Sequence, residues 1–408
     1  MTDGHLTGRN IFCIGMAQLI NWGITFYMPG VFGTAIMAET GWSPVVTFSG
    51  LTVAMLVMGL VSPLTGYVMA RTGGRLMMMA GTVAITVACF LMSFTQSTAA
   101  WVAVWLLMGV GMRLALYDAA FALLVETAGA GARRAVTLVT LLGGLASALF
   151  WPAGAALLQI TDWRHALLVY GCAGLLSLIF LTTLPAGRRC TPPTMGRSVL
   201  PSAGTAEDRK GLVSGLWYAA LIALLSFVST GVSTHLPQIL AAYSMPALTG
   251  MLWGVGQVSA RLSDVASGAR LSALQLNLIV GILLPLCFLT GLMGYVTPAA
   301  TALFVLGYGA VNGLYTVVKA LLPLVLFAPQ QYASRTGILL SPGFFLAALA
   351  PSAYAMLLER YGVCGTLLVS AILSLFIMMI SIVLWRCHSG SVVKRRNEKA
   401  PPLSRRNV

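Results

Sequence analysis

The chain has 408 residues, of which 58% are hydrophobic and only 8% are charged, and its mean hydropathy is +0.89. Soluble domains carry about 25% charged residues, so this composition excludes a single water-soluble core and predicts a membrane protein. The formal net charge of +14 does not indicate nucleic-acid binding, because the basic residues are divided among short loops and a C-terminal tail.

Apolar stretches long enough to cross a bilayer recur along the whole chain. A spanning helix needs about 20 apolar residues, and twelve stretches reach that length. They are residues 11–31, 46–69, 76–95, 101–124, 136–158, 166–185, 212–236, 247–267, 272–294, 299–322, 338–358 and 364–385. The first is too long for the apolar core of a signal peptide, so we expect it to be an uncleaved helix. The predicted fold class is an all-α membrane protein with twelve transmembrane helices.

The longest polar gap divides these helices into two sets of six. Residues 187–211 are rich in Pro, Ser, Gly and charge, and we interpret them as a cytoplasmic linker. An N-terminal six-helix bundle (1–186) precedes this linker and a C-terminal bundle (212–385) follows it. Residues 386–408 are predicted to be a basic, solvated tail that touches lipid headgroups.

Lys and Arg are distributed unevenly among the gaps. Nineteen of the 24 lie in one alternating set of gaps and in the termini, and only Arg164 and Arg360 lie in the other set. Positive charge near the ends of spanning helices stays cytoplasmic, so both termini are predicted to be cytoplasmic. No N-x-[ST] sequon occurs, which fits a multi-pass protein of a bacterial inner membrane.

The two halves of the chain resemble one another at a nearly constant offset. The matches are Gly73-Gly74-Arg75-Leu76 with Gly268-Ala269-Arg270-Leu271 (offset 195), Tyr117 with Tyr315 (198), Leu167-Leu168-Val169 with Leu367-Leu368-Val369 (200) and Arg134 with Arg335 (201). Parallel repeats of this kind enclose a cavity between two bundles in alternating-access transporters.

The gap between the second and third helices carries a recognisable motif, which runs from Gly66 to Arg75. Its Gly66, Arg71, Gly73 and Arg75 resemble the signature loop of the major facilitator superfamily, G-x-L-a-D-r-x-G-r-r. In that family the loop is a conformational latch that engages an acid at the end of helix 4, a role the resemblance gives to Glu126. The sequence departs from the motif at Ala70, where the family has Asp.

Three shorter segments resemble one branch of that superfamily, the bacterial monocarboxylate-transporter-like proteins. They are Gly41-Trp42-Ser43, Asp162-Trp163-Arg164 and Gln257-x-x-x-Arg261. The third is similar to an Asp-x-x-x-Arg motif of the branch, whose arginine meets the substrate carboxylate. Gln257 replaces the acid here.

Polar side chains inside the apolar stretches are the candidate substrate-binding residues, because each is costly in a bilayer. The candidates are Arg113, Arg261, Gln257, Asn21, Gln18, Asn312, Tyr117 and Tyr315. Each has a structural alternative. Arg113 either anchors an anion or packs between helices, satisfied by a neighbouring carbonyl or carboxylate. Arg261 either meets substrate or pairs with Asp264 three residues on.

Asp118 and His235 are the candidate proton-coupling residues. Asp118 is the one acid well inside an apolar stretch, and it either carries a proton or acts as a hydrogen-bond hub. It lies five residues after Arg113, which turns the two side chains about 140° apart on a helix, so we expect Asp118 to meet another helix. His235 is a candidate proton relay because the reference pKa of a free imidazole lies near neutrality. Lys319 is expected to extend toward the cytoplasmic surface.

These features together predict a secondary active transporter that moves a small organic anion, with a carboxylate favoured, by proton coupling or exchange. Arg113, Arg261 and Lys319 outnumber Asp118, so the cavity should be positive and prefer anions. The alternative in the same fold is efflux of drugs or of a toxic oxyanion such as an arsenical. No H-E-x-x-H, G-x-S-x-G or phosphate-loop motif occurs, so we expect no enzyme, cofactor or metal site. The expected partners are a small substrate, the bilayer and protons, but no nucleic acid, and the protein is expected to be a monomer.

Overall fold

The computed structural model describes residues 7–185, 206–267 and 270–398, and this part of the chain is helical throughout, without a β-strand. The predicted linker therefore lies outside the described residues up to position 205. The helices are α1 (Gly8–Ile24), α2 (Met28–Thr40), α3 (Pro44–Val61), α4 (Thr65–Thr72), α5 (Gly74–Ser93), α6 (Thr98–Ala115), α7 (Tyr117–Ala128), α8 (Arg133–Gly144), α9 (Ala146–Ile160), α10 (Trp163–Thr182), α11 (Ala206–Ala242), α12 (Met251–Ala266), α13 (Ala273–Leu292), α14 (Pro298–Leu326), α15 (Tyr332–Leu339) and α16 (Ser341–Glu398).

These helices make twelve crossings. Ten helical spans of the described residues are long and apolar enough to cross a bilayer. One of them, Tyr332–His388, comprises α15 and most of α16 and crosses the bilayer twice. The reversal lies within α16 at Gly362, whose φ of 64° is in the left-handed region that glycine tolerates. The helix α12 is shorter, with 16 residues, and supplies the twelfth crossing. The predicted fold class, twelve transmembrane helices in an all-α protein, is confirmed.

Several crossings are broken near their middle, which exposes backbone groups inside the membrane. The α3–α4 crossing is interrupted by a 3₁₀ turn at Ser62–Leu64, which contains Pro63. The α6–α7 crossing is interrupted at Leu116, whose backbone is extended. Because α7 begins at Tyr117, Asp118 lies in its first turn, where the helix dipole stabilises a carboxylate.

The helices α1 to α10 pack into one group, here called the N bundle, and α11 to α16 into a second, the C bundle. Contacts between the bundles pair α3 with α16, α4 with α15, and α8 with α12 and α14. We call the end of the molecule that carries Arg71, Arg75, Arg134, Arg270 and Arg335 the basic end; it is the end predicted to face the cytoplasm.

Hydrogen bonds join the two bundles near the basic end. Ser62 Oγ donates to the Gly337 carbonyl at 2.5 Å, and Ser341 Oγ donates to the Gly59 carbonyl at 2.7 Å. Arg133 donates to the Leu271 carbonyl. This conformation is therefore closed at the basic end.

Candidate functional site

An ion pair crosses the bundle interface between α7 and α14. Lys319 Nζ lies 2.9 Å from Asp118 Oδ1 and 3.1 Å from Oδ2, and the two side chains are only 19% and 11% exposed. The expectation that Lys319 extends to the surface is wrong, because a carboxylate of the other bundle is within reach and neutralises the ammonium group. Asp118 does meet another helix, as its position on α7 predicted. Its role in proton coupling stays a prediction.

Arg113 lies beside this pair but is held by its own bundle. Its Nε donates to Ser62 Oγ at 3.0 Å and its Nη2 to Thr65 Oγ1 at 3.2 Å. The ring of Phe344, from the C bundle, lies 5.5 Å from the guanidinium and 5.3 Å from the Lys319 ammonium. The Phe344 ring thus contacts both the Arg113 guanidinium and the Lys319 ammonium, and it attracts both cations.

A small cavity lies next to Arg113 and Asp118, on the side toward the basic end. Thr65 and Thr336 add hydroxyl groups to its lining, and the rest of the lining is apolar: Met69, Met77, Ala119, Ala122 and Ala333. It is about large enough for one water molecule. Asp118 therefore borders space for about one water molecule, besides its contact with Lys319.

Arg261 extends from α12 toward α8 of the N bundle, and it is only 3% exposed. Its Nη2 donates to Thr316 Oγ1 at 3.2 Å and its Nε to the Gly313 carbonyl at 3.4 Å. The third nitrogen, Nη1, is buried without a hydrogen-bond partner. Among the described residues no carboxylate pairs with Arg261, so its charge is solvated only by neutral dipoles.

Asp264, the alternative partner considered for Arg261, binds the N bundle instead. Its Oδ1 lies 3.0 Å from Arg133 Nη2, and its Oδ2 accepts a hydrogen bond from Thr137 at 3.1 Å. Arg261 and Asp264 do not form an ion pair, because each carboxylate oxygen of Asp264 binds an N-bundle side chain instead. A second ion pair thus closes the basic end, with the acid on the C bundle this time.

Two adjacent glycines at the end of α8 accommodate Arg261 and Tyr117. A Cβ atom on Gly144 would overlap Arg261 Nη1, and a Cβ atom on Gly143 would overlap the Tyr117 hydroxyl. That hydroxyl donates to the Thr140 carbonyl at 3.2 Å. The glycine pair therefore places the predicted residues Arg261, from the C bundle, and Tyr117, from the N bundle, side by side.

Gln18 and Asn21 are placed elsewhere, inside the N bundle and fully buried. Gln18 Nε2 donates to the Ala115 carbonyl at 2.7 Å, and Asn21 Nδ2 donates to Thr82 Oγ1 at 3.0 Å. In this conformation both amides therefore join helices of one bundle and do not reach the interface. Their contact with substrate stays a prediction.

The remaining candidates belong to the C bundle. Asn312 Oδ1 accepts from Ser229 at 2.6 Å, and the Tyr315 hydroxyl lies 2.8 Å from Ser226 Oγ. Both line a second small cavity. Gln257 is half-buried, and its backbone packs against Gly313.

His235 joins α11 to α16 and does not lie next to Asp118. Its Nε2 is 2.8 Å from the Pro351 carbonyl and its Nδ1 is 2.9 Å from Gln238 Oε1. Both ring nitrogens are engaged, so its proton-coupling role stays a prediction that the geometry does not favour.

A family comparison gives the context for this arrangement. The model of the Major Facilitator Superfamily matches residues 11–323, which is most of the chain. The chain belongs to the major facilitator superfamily. A search of curated proteins gives no match.

Solved structures of the superfamily share the fold. The human organic anion transporter MFSD10 (TETRAN) is 17% identical, with a TM-score of 0.68, and the alignment covers 91% of this chain and 99% of that one. The proton:xylose symporter XylE, bound to 6-bromo-6-deoxy-D-glucose, is 12% identical, with a TM-score of 0.73 and coverage of 93% and 95%. The monocarboxylate-transporter-like branch is not supported by these comparisons.

The superfamily signature loop lies at the closed basic end. Gly73 has a φ of 79°, which favours glycine, and the Gly74 amide donates to Glu126 Oε2 at 3.3 Å. Arg75 donates to the Thr182 carbonyl at 2.7 Å, and Arg71 lies over the Tyr67 ring. Glu126 thus contacts the loop through a backbone amide and not through an arginine; whether the loop acts as a latch stays a prediction.

Gly66 of this loop lies where the backbones of the two bundles approach closely. A Cβ atom on Gly66 would lie 2.5 Å from Ser334 Cα, and one on Gly337 would lie 2.8 Å from the Ser62 carbonyl oxygen. Both obstacles are backbone atoms, which cannot rotate away. The glycines are therefore needed for closure of the basic end.

Substitution of Gly66 by Val is expected to disfavour the closed basic end. Overpacking costs about 1–3 kcal/mol, which corresponds to a shift of about 10-fold in the conformational equilibrium. Distances between spin labels at positions 134 and 270, which are exposed on opposite bundles, measure the shift as a longer population. Gly254→Val is the matched control, because a Cβ atom there meets nothing within 4 Å. An unchanged distance distribution in Gly66→Val would contradict the prediction.

Proposed function

We propose that this superfamily member is a secondary active transporter of a small organic anion. One observation carries the proposal: the guanidinium of Arg261 is buried at the bundle interface with Nη1 unpaired and no carboxylate partner among the described residues. Burying a charge without a counter-ion is costly. An anionic ligand would supply the missing partner and, by bidentate hydrogen bonding, satisfy the free nitrogen.

The balance of buried charge at the interface supports an anion as well. Within the described residues, Asp118 is the one carboxylate that opposes Arg113, Arg261 and Lys319, because Asp264 is neutralised by Arg133. The interface therefore carries two excess positive charges. A cation would be repelled there, and a neutral sugar would leave the excess charge uncompensated.

The solved relatives agree with a transport function but do not decide the substrate. One is described as an organic anion transporter and the other as a proton:xylose symporter. At identities of 17% and 12% the likeness concerns the fold. The preference for an anion is thus drawn from the charges of this chain.

Asp118 is the residue through which we propose that protons are coupled to transport. Its carboxylate holds Lys319 of the opposite bundle, so protonation removes an attraction that closes the basic end. Opening of the basic end separates Asp118 from Lys319, so the carboxylate binds a proton more readily in the open state. By linkage, binding of a proton to Asp118 in turn favours opening. The adjacent cavity toward the basic end would admit the water that transfers the proton.

Transport into proteoliposomes tests the proposal. Purified protein should accumulate a radiolabelled organic anion when a pH gradient is imposed, and xylose should not compete with it. Accumulation of arsenicals in preference to all carboxylates would favour the efflux alternative. Transport of neutral sugars or cations with no effect of anions would contradict the proposal. Empty liposomes under the same gradient are the control for passive entry of the protonated acid.

A further inference from the structure

The part of the N bundle that faces Arg261 is aromatic. The Trp22 ring lies 5.0 Å from the Tyr117 ring, 5.3 Å from Phe26 and 6.5 Å from Tyr27, measured between centroids. We call Trp22, Phe26, Tyr27 and Tyr117 the aromatic wall. All four side chains are partly exposed, so part of the ring surface of the wall is accessible.

The wall and Arg261 meet through the glycine pair of α8. Tyr117 fits over Gly143 and Arg261 fits over Gly144, the next residue. Tyr117 belongs to the N bundle and Arg261 to the C bundle, so a ligand that contacts both would join the two bundles. Binding of that ligand would then be coupled to bundle movement, as alternating access requires.

Two hydrogen-bond donors at this place have no partner. Arg261 Nη1 and Trp22 Nε1 are both buried and unpaired. An unpaired indole is not a sufficient signal, because Trp101, Trp105 and Trp253 also have unpaired Nε1 atoms. Trp22 differs from these because its ring contacts Tyr117 in a tilted arrangement, and Tyr117 shares the glycine pair with the unpaired guanidinium. Both free groups are donors, so the ligand must supply acceptor atoms.

We propose that the substrate is an organic anion with an aromatic ring, whose anionic group binds Arg261 and whose ring lies against the aromatic wall. This inference rests on the proposed function and adds the chemistry of the uncharged part of the substrate. Flat rings gain energy from stacked or edge-to-face contact with other rings, beyond the energy of burying their area. Trp22 and Tyr117 are then the residues that determine specificity.

A polyol or a small inorganic oxyanion fits this place less well. A sugar needs several donors and acceptors around it, whereas the wall offers one free indole N–H, and the Tyr117 hydroxyl already donates to the Thr140 carbonyl. A compact oxyanion would satisfy Arg261 but leave the ring surface without contact. The wall therefore favours a ligand whose anionic group is attached to a flat apolar body.

Calorimetric titration of the purified protein with three carboxylates tests the inference. Benzoate, cyclohexanecarboxylate and acetate carry the same charge, and only benzoate has a flat aromatic face. We expect benzoate to bind about 10-fold more tightly than cyclohexanecarboxylate, which corresponds to the upper part of the range for aromatic contacts. Equal affinities for the two ring compounds would overturn the inference and leave the proposed function intact.

Two variants separate the wall from the anion anchor. Trp22→Leu should abolish the preference for benzoate while retaining the affinity for acetate, and Trp22→Phe should keep part of the preference. Phe94→Leu is the matched control, because Phe94 is an N-bundle aromatic residue that directly follows α5 and is 72% exposed. A full benzoate preference in Trp22→Leu would remove Trp22 from the site. Absence of binding by all three carboxylates would contradict the proposed function itself.

Discussion

Arg261→Gln is expected to lower anion transport at least about 100-fold while leaving the protein folded. The variant loses a charge-assisted, bidentate contact with the substrate, and truncating one partner of such a buried pair costs about 2–5 kcal/mol. About 2.7 kcal/mol already corresponds to 100-fold. Initial uptake rates in proteoliposomes, compared at equal protein content, measure the loss.

Arg261→Gln should not destabilise the protein, so its loss of transport can be distinguished from a folding defect. Arg261 Nη1 has no hydrogen-bond partner among the described residues, so removing the charge relieves an uncompensated burial cost. We expect the melting temperature to be unchanged or higher. Arg261→Lys keeps the charge but loses the planar fork, and its transport should be intermediate.

Arg360→Gln is the control for a general effect of charge, because Arg360 is exposed at the end opposite the basic end and lies over the Tyr361 ring. It should transport as the wild type does. Wild-type rates in Arg261→Gln would exclude Arg261 from the substrate site and remove the main support for an anionic substrate.

Asp118→Asn is expected to favour an open basic end and to abolish accumulation driven by a pH gradient. The substitution leaves the Lys319 ammonium without its carboxylate. Breaking a buried ion pair costs about 3–5 kcal/mol, and because Lys319 is 19% exposed we expect about 2–3 kcal/mol, or roughly 30- to 150-fold in the equilibrium. Spin-label distances between positions 134 and 270 measure the opening.

A double variant distinguishes the ion pair from the proton carrier. Asp118→Asn combined with Lys319→Gln removes both charges, so the closed basic end should be regained because no unpaired charge is buried. Coupling to the pH gradient should remain absent, because the carboxyl group is gone. If either variant accumulates substrate against its gradient at the wild-type level under an imposed pH gradient, Asp118 is not the coupling residue.

The pattern of apolar stretches and basic gaps predicts the fold, because lipid imposes strong constraints on sequence. Twelve crossings are confirmed, and the loop from Gly66 to Arg75 together with the repeat between the halves predicted the superfamily correctly. The predicted branch depended on three short segments. Segments of that length share residues by chance, and the comparisons do not support the branch.

The candidate site was only partly accessible to sequence reasoning. Arg113, Asp118, Arg261 and Tyr117 were found because polar groups in a bilayer are costly, and the structure places all four at the bundle interface. Lys319 was misinterpreted, since its partner Asp118 lies 201 residues away. Phe344 and the glycine pair of α8 were missed because aromatic residues and glycines are common in membrane helices for packing reasons alone.

The sequence by itself determined that this protein spans a membrane in two related halves with an excess of buried positive charge. The crossings and the excess charge follow from each residue's own transfer energy between water and lipid, which does not depend on its neighbours. The relation between the halves follows from residues that recur at a nearly constant offset. Only the tertiary structure decided which charges are neutralised: Asp118 pairs with Lys319, Asp264 pairs with Arg133, and no acid of the described residues pairs with Arg261. Pairing depends on distances of a few ångströms between helices far apart in the chain, and the packing of the two bundles sets those distances.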